Sequence, residues 1–214
     1  CRKENEEFIR WSERLAEENK IEVTPLYFDL SDFDSVEKTF MSIVKEKKNI
    51  DILVNNAAVS YGTALSMMPI SKIKELFDIN FFEQLHITQL ISKLMMRKKS
   101  GSIINIASVS GLEAFQGNIA YGSSKAALIY ATKVISKELA PFGIRVNAVA
   151  PGTVKTDMES TRTTEQLSEV INRTSMKRVA EPAEIADAVC WLAGDKASFV
   201  TGQVIIVDGG RMNV

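Results

Sequence analysis

SIINIASVSGLEAFQGNIAYGSSKAALIYATKVISKELAPFGIRVNAVAPG, residues 102–152, decides the fold. It opens on a short apolar run, 102–107, continues into a helical pattern over 121–140 and closes on a second apolar run, 145–150. Uninterrupted apolar runs of this length suit strands covered on both faces, and two of them joined by a helix make a βαβ unit with parallel strands. The alternation continues in both directions. Before it come a helix with Phe8, Trp11 and Leu15 on one face, a strand over 22–28, and a helix over 32–47 with Ser31 as its N-cap. Next are the run Asp51-Ile52-Leu53-Val54 and a helix over 71–96. After it come helices at about 164–172 and 182–193 and a strand over 203–207. The predicted class is α/β, a parallel sheet with helices on both faces. No repeat, low-complexity tract or linker interrupts it, so residues 1–214 are expected to form a single domain. The chain opens on Cys1 inside the charged helical pattern CRKENEEFIRWSERLAEEN, and is expected to begin part-way through that domain.

Composition excludes several functions. Twenty-six Lys and Arg stand against 27 Asp and Glu, a net charge of −1, so no strongly basic face for nucleic acid is expected. The basic clusters at 45–48 and 97–99 fall at helix ends, where cations complement the helix dipole. Two cysteines, Cys1 and Cys190, make no disulfide framework, and with His86 as the single histidine no metal site is expected. No apolar run reaches the roughly 18 residues of a membrane span, and the polar start lacks an apolar signal region. The expected compartment is the cytoplasm, without membrane or nucleic-acid partners.

In open parallel sheets, ligands gather outside the carboxyl ends of the strands. The residues there are Asp29, Asn55-Asn56-Ala57-Ala58, Ser108, and Pro151-Gly152 in APGTVKTDM. A single histidine and the absence of G-x-S-x-G argue against a Ser-His-Asp hydrolase, and neither a P-loop nor G-x-G-x-x-G occurs. Tyr121 and Lys125 are four apart and share a helix face, which lets the ammonium approach the phenol. A phenol is a weak acid at neutral pH, and a nearby cation lowers its pKa by favouring phenolate. Tyr121 is thereby a candidate general acid, although a tyrosine and a lysine at this spacing also co-occur by chance.

DILVNNAAV (51–59), Asn80 in FDINFF, IINIASVSG (103–111), YGSSK (121–125), IRVNAVAPGTVKTDM (144–158) and TGQVIIVDGG (201–210) together resemble the short-chain dehydrogenase/reductase family over essentially the whole chain. Ser108 stands thirteen residues before Tyr121, as in bacterial reductases of that family. The resemblance implies a doubly wound, Rossmann-like, three-layer α/β/α fold and hydride transfer between a nicotinamide cofactor and a carbonyl or alcohol. It implies that Tyr121 gives the proton, that Lys125 lowers the phenol's pKa and holds the nicotinamide ribose, and that Ser108 supports the developing oxyanion. It assigns Asn80 a water in a relay to Lys125. Asp29 and Leu30 would meet adenine, and Asn56, Ala57 and Ala58 the adenosine ribose. Pro151, Gly152, Val154 and Thr156 would meet the carboxamide and phosphates. Asn55 is read as a structural hydrogen-bonder.

The chain departs from the family in lacking its first βα unit, with the Gly-rich pyrophosphate loop, and its second strand. A longer protein is expected, by roughly 30 to 40 residues on the scale of a βαβ unit. If Cys1 follows that strand, Arg2 and Lys3 stand where a 2′-phosphate would be met, which favours NADP over NAD. The pattern is most similar to bacterial 3-oxoacyl-(acyl-carrier-protein) reductases of fatty acid biosynthesis, and so to a thioester keto substrate. Ser102 and Phe142, however, stand at expected surface positions that are often basic there. The alternatives are a sugar, polyol or sugar-nucleotide substrate, or a catalytically silent cofactor-sensing module. A homotetramer is expected from the family habit of pairing the helices at 71–96 and 121–140. Arg2→Ala is expected to narrow the preference for NADPH over NADH in binding assays; an unchanged preference removes the role given to Arg2.

Overall fold

The computed structural model describes residues 5–46, 48–156, 158 and 163–212. The chain divides into two compact units, Cys1–Lys48 and Asn49–Val214, a division that no linker in the sequence announces.

In the first unit, helix α1 (Glu6–Asn19) is capped by Asn5, whose side chain accepts from the Phe8 N–H at 3.1 Å. Glu6 and Glu7 sit at its positive end. It closes on Lys20, left-handed at φ 53°, whose N–H reaches the carbonyls of Ala16 and Glu17. Helix α2 (Phe33–Lys45) is capped by Asp32, which accepts from the Ser35 N–H at 3.2 Å. Ser31 is therefore not the cap. Its N–H and hydroxyl both donate to Asp29 Oδ1, at 2.9 and 2.7 Å, closing a local turn one residue earlier. The strand expected over 22–28 does not form either. A strand exists by its hydrogen-bond ladder to a neighbour, and none of the paired strands takes this run as a partner. Aromatic contacts hold it instead, Phe8 to Tyr27 at 6.3 Å and Phe28 to Phe40 at 5.3 Å between ring centroids.

The second unit is built on a sheet of four parallel strands in sequential order: β1 (Ile52–Asn55), β2 (Gly101–Ile106), β3 (Ile144–Pro151) and β4 (Val204–Val207). Helices α3 (Ile70–Phe77), α4 (Glu83–Lys98), α5 (Ile119–Leu139), α6 (Thr164–Arg173) and α7 (Pro182–Ala193) complete it. Alternate residues of β3 face opposite layers, as the two-residue period of a strand requires. Val149 packs with Ile104 of β2 against Ile185 and Leu192 of α7. Ala148 and Ala150 pack against Ile129 of α5. The helix, sheet, helix arrangement bears out the α/β reading. Arg145 of β3 donates to the carbonyls of Leu192, Ala193 and Gly194, placing a cation at the negative end of α7. Beside it Ser102, expected at the surface, is buried and donates to the Leu192 carbonyl at 3.2 Å, while Phe142 is exposed.

A polar ladder crosses this apolar core. Asn55 and Asn105 are register partners on β1 and β2, and Asn55 Nδ2 donates to Asn105 Oδ1 at 2.8 Å and to Thr88 Oγ1 of α4 at 2.9 Å. Asn105 Nδ2 donates to Thr132 Oγ1 of α5 at 2.8 Å. Slipping either strand by one residue would turn its asparagine to the wrong face and orphan buried amides. The structural role expected of Asn55 is thus what the structure has.

The helix expected over 71–96 is not continuous. Between α3 and α4 the backbone widens into a π-turn, Asp78–Phe82. Asn80, at its centre, is fully buried; its Oδ1 accepts from the Val59 N–H and its Nδ2 donates to the Val59 carbonyl, both at 2.9 Å. The extra residue of a π-turn re-aims one side chain without ending the helix. Here the turn carries the side chain that grips the backbone beyond β1.

Asn105→Ala is expected to cost about 2 to 3 kcal/mol of unfolding free energy in chemical denaturation, since it leaves buried partners unsatisfied. A loss below about 0.5 kcal/mol, the scale of an ordinary surface substitution, would show that the ladder does not hold the register.

Candidate active site

Ser108 follows β2 directly and opens a short 3-10 turn, Val109–Gly111, with its Oγ accepting from the Ser110 N–H at 3.1 Å. Two glycines let this turn lie on the first turns of α5. A Cβ on Gly111 would stand 2.8 Å from the Ala126 nitrogen and the Lys125 carbonyl carbon, and one on Gly122 would stand 2.7 Å from the Ser110 carbonyl oxygen. These are approaches that only hydrogen permits. Ser108 is thereby brought onto the helix that carries Tyr121 and Lys125. Gly122 was assigned no role from sequence, though both glycines sit inside the quoted motifs.

Tyr121 and Lys125 share a face of α5 as their spacing predicts, with Lys125 Nζ 5.8 Å from the centroid of the Tyr121 ring. Lys125 is 1% exposed and donates to the Ile106 carbonyl at the end of β2, at 2.7 Å. Burial penalises its ammonium and lowers its pKa from 10.5 to about 8. Asn80 is tied to the same helix, because its Nδ2 also donates to Ser124 Oγ at 3.2 Å. Both ends of the Asn80 amide are thus engaged, with Val59 and Ser124, and its visible work is to position the segment after β1 against α5.

Ser108, Tyr121 and Lys125 open into a cleft of about 1510 Å³ outside the carboxyl ends of the strands. Asn56, Ala58, Pro151, Gly152, Val154 and Thr156 line it as well. The Ala57 carbonyl accepts from Gln84 Nε2 at 2.6 Å, so the buried Gln84, not singled out from sequence, fixes the backbone of that loop. Val154 is held by a parallel bridge to Ala180. Asp29 and Leu30 belong to the first unit, and Arg2 lies outside the described residues. Phe115 lines the cleft too, and so does Arg211, which sequence reading passed over. The signal for Arg211 would have been its place soon after the end of β4. Among the described residues no helix is long and apolar enough to cross a membrane.

A family model described as enoyl-(acyl carrier protein) reductase matches residues 3–212. The chain is 36% identical over 193 residues to the 3-oxoacyl-(acyl-carrier-protein) reductase FabG of Thermotoga maritima, covering 88% of this chain and 76% of that protein. The chain belongs to the short-chain dehydrogenase/reductase family. Two solved structures of similar shape sharpen the comparison. A gluconate 5-dehydrogenase from Burkholderia cenocepacia J2315, in complex with NADP and tartrate, superposes with a TM-score of 0.91 at 26% identity, over 99% of this chain and 84% of that one. The structure of ElxO with NADP bound superposes at 0.82 with 30% identity, over 94% of this chain and 84% of that one. As a short-chain dehydrogenase/reductase, the protein has the Rossmann-like fold and is an NAD(P)-dependent oxidoreductase. The cleft suits a nicotinamide cofactor: it exceeds the roughly 300 to 1,000 Å³ usual for one small ligand, leaving room for a dinucleotide beside a substrate. Ala58, Pro151 and Gly152 are among its lining residues.

The folded-state pKa of Lys125 lies below its unfolded value, so between pH 8 and pH 10.5 the unfolded chain keeps a proton that the folded one has released. Stability contributed at this site therefore rises with pH across that window, the burial cost being fully present below it. Relative to Lys125→Met, the wild type is expected to gain roughly 2 kcal/mol of unfolding free energy from pH 8 to pH 10. A difference that stays flat with pH would mean that the ammonium is not desolvated.

Proposed function

We propose that this short-chain dehydrogenase/reductase uses NADPH to reduce a keto group to a secondary alcohol, with a 3-oxoacyl thioester, free or on a carrier protein, as substrate. One observation carries the reading: the hydroxyl-bearing Ser108, the phenol of Tyr121 and the buried cation of Lys125 meet at one cleft. Tyr121 gives its proton to the carbonyl oxygen as that oxygen becomes an alkoxide. Lys125, held by the Ile106 carbonyl, stabilises the negative charge left on the tyrosine oxygen. Ser108 donates to the same carbonyl oxygen, favouring the transition state over the ground state because charge grows there. A nicotinamide held in the cleft supplies the hydride. Asn56, Ala57, Ala58, Pro151, Gly152, Val154 and Thr156 would hold that cofactor. Asn80 acts as a positioning residue through Val59 and Ser124, and any water it holds belongs to a relay toward Lys125.

The thioester reading is supported by relatives named as 3-oxoacyl-(acyl-carrier-protein) reductases, the Thermotoga maritima protein among them. NADP is favoured by the NADP-bound structures similar to this chain and by Arg2 and Lys3. We further take residues 1–214 as one dinucleotide-binding domain of a cytoplasmic homotetramer, with Tyr130, 72% exposed on α5, at a subunit contact. The second reading is reduction of a keto group on a polyol or sugar acid, favoured by the shape shared with the gluconate 5-dehydrogenase. A silent cofactor sensor would have no use for the proton donor and its cation.

The test is loss of reduced-nicotinamide absorbance with NADPH or NADH and an acetoacetyl thioester, followed by sugar-acid ketones. Tyr121→Phe is expected to lower kcat on the order of a hundredfold to ten-thousandfold while leaving NADPH binding intact. Ser108→Ala is expected to cost on the order of a hundredfold. Full turnover by Tyr121→Phe would reject the proton-donor assignment. NADPH binding with no turnover of any ketone by the wild type would leave the sensor.

A further inference from the structure

Beyond Gly152, whose N–H still donates to the Val207 carbonyl of β4 at 2.9 Å, the chain leaves the sheet and needs another backbone partner. Ala180, just before α7, provides it in parallel register with Val154. The Ala180 N–H donates to the Thr153 carbonyl at 3.0 Å, and its carbonyl accepts from the Lys155 N–H at 2.9 Å. Val154 and Ala180 both pack against the core cluster of Ile104, Val149 and Ile185. Ala180 is itself fixed from both sides by one carboxylate. Arg178, two residues before it, donates from Nη1 to Glu184 Oε2 at 2.6 Å and from Nη2 to Glu184 Oε1 at 2.7 Å, a bidentate fork. Glu181, one residue after it, donates its N–H to the same Glu184 Oε2 at 2.9 Å, in the capping box that starts α7. Lys155 adds a tie from the loop, its Nζ 3.3 Å from Glu181 Oε1.

A single exposed ion pair contributes little, because two flexible side chains are ordered for one screened attraction. The Arg178–Glu184 pair differs in geometry and in task. Its two parallel bonds fix the plane of both groups, and the carboxylate that receives them also caps a helix. Glu184 keeps its charge well into acid, its pKa lowered to about 2 by the Arg178 hydrogen bonds and then by the Glu181 N–H. We infer that Arg178 and Glu184 are positioning residues for the cofactor, fixing Ala180 and through it the loop that lines the cleft at Thr153, Val154 and Thr156. The inference rests on the reading above that this loop holds a nicotinamide. Neither Arg178 nor Glu184 lines the cleft, so their effect passes through the backbone bridge at Ala180.

Two measurements on the wild type, Arg178→Met, Glu184→Gln and the double variant test it. Glutamine keeps an oxygen for the Glu181 N–H and loses the charge that holds the fork, so Glu184→Gln separates the pair from the cap. First, amide hydrogen exchange is followed at Lys155 and Ala180, with the Ala148 amide of β3, bonded to the Gln203 carbonyl, as control. Each single variant is expected to speed exchange at Lys155 and Ala180 roughly tenfold or more and to leave Ala148 unchanged. Second, dissociation constants of NADPH and NADH are measured by fluorescence. Each single variant is expected to weaken the better-bound cofactor roughly tenfold, and the double variant no more than either, because the two side chains form one device. Unchanged exchange at Lys155 and Ala180 overturns the inference. So does faster exchange with unaltered cofactor binding, and so does an equal acceleration at Ala148 with a lowered melting temperature, which would make the pair a general stabiliser. If the wild type binds neither cofactor, the nicotinamide reading fails and the cofactor role of the pair with it, whatever the exchange shows; if it binds and the variants bind equally well, the inference alone fails.

Discussion

The buried amide ladder from Asn55 through Asn105 to Thr88 and Thr132 is the constraint on which the rest depends. Apolar packing alone tolerates slippage, because one isoleucine fills a gap much as another does. An amide in an apolar core does not, since an unmet donor costs more than a met one contributes. The ladder therefore sets where β1 and β2 end relative to each other and to α4 and α5. Everything chemical in the second unit hangs from those ends: Asn56 to Ala58 follow β1, Ser108 follows β2, and the Ile106 carbonyl that accepts from Lys125 is the last of β2.

The site stores part of the stability that the core supplies. A lysine 1% exposed is costly unless its charge is used, and the folded chain tolerates it with one carbonyl partner and a neighbouring phenol. Gly111 and Gly122 contribute by absence, allowing two backbones to touch where a methyl group would separate them. Asn80 does the same work by bonding, its amide completing the hydrogen bonds of Val59 as a neighbouring peptide would. Three different devices thus press the loops after β1 and β2 against one helix. Such preorganisation is what the roles proposed for Ser108, Tyr121 and Lys125 require, since fixed donors and charges act on a developing oxyanion without reorganising.

Legibility in the sequence followed the range of the interactions. The apolar runs of β2 and β3 and the face shared by Tyr121 and Lys125 depend on periods of two and nearly four residues, and both were readable. The cap of α2 was misread by one position, because Ser31 and Asp32 are both good caps and the choice turns on which backbone is extended. The run 22–28 has the composition of a strand, but a strand also needs a neighbour, and composition does not supply one. Asn80 was noticed as part of a motif, while the π-turn that aims it was invisible, since nothing in FDINFF departs from an ordinary helix.

By itself the sequence determined the class of fold, the alternation of strand and helix from β1 to β4, and the spacing that puts Tyr121 and Lys125 on one helix face, because these rest on patterning along the chain. Only the tertiary structure decided that Ser102 is buried under α7, that Gln84 secures the Ala57 carbonyl, and that Arg211 meets Phe115 and Thr153 across the cleft. Those contacts join residues from 27 to 96 positions apart. No local period encodes them, because which distant loops meet is settled by the packing of helices on a sheet whose register buried amides have already locked.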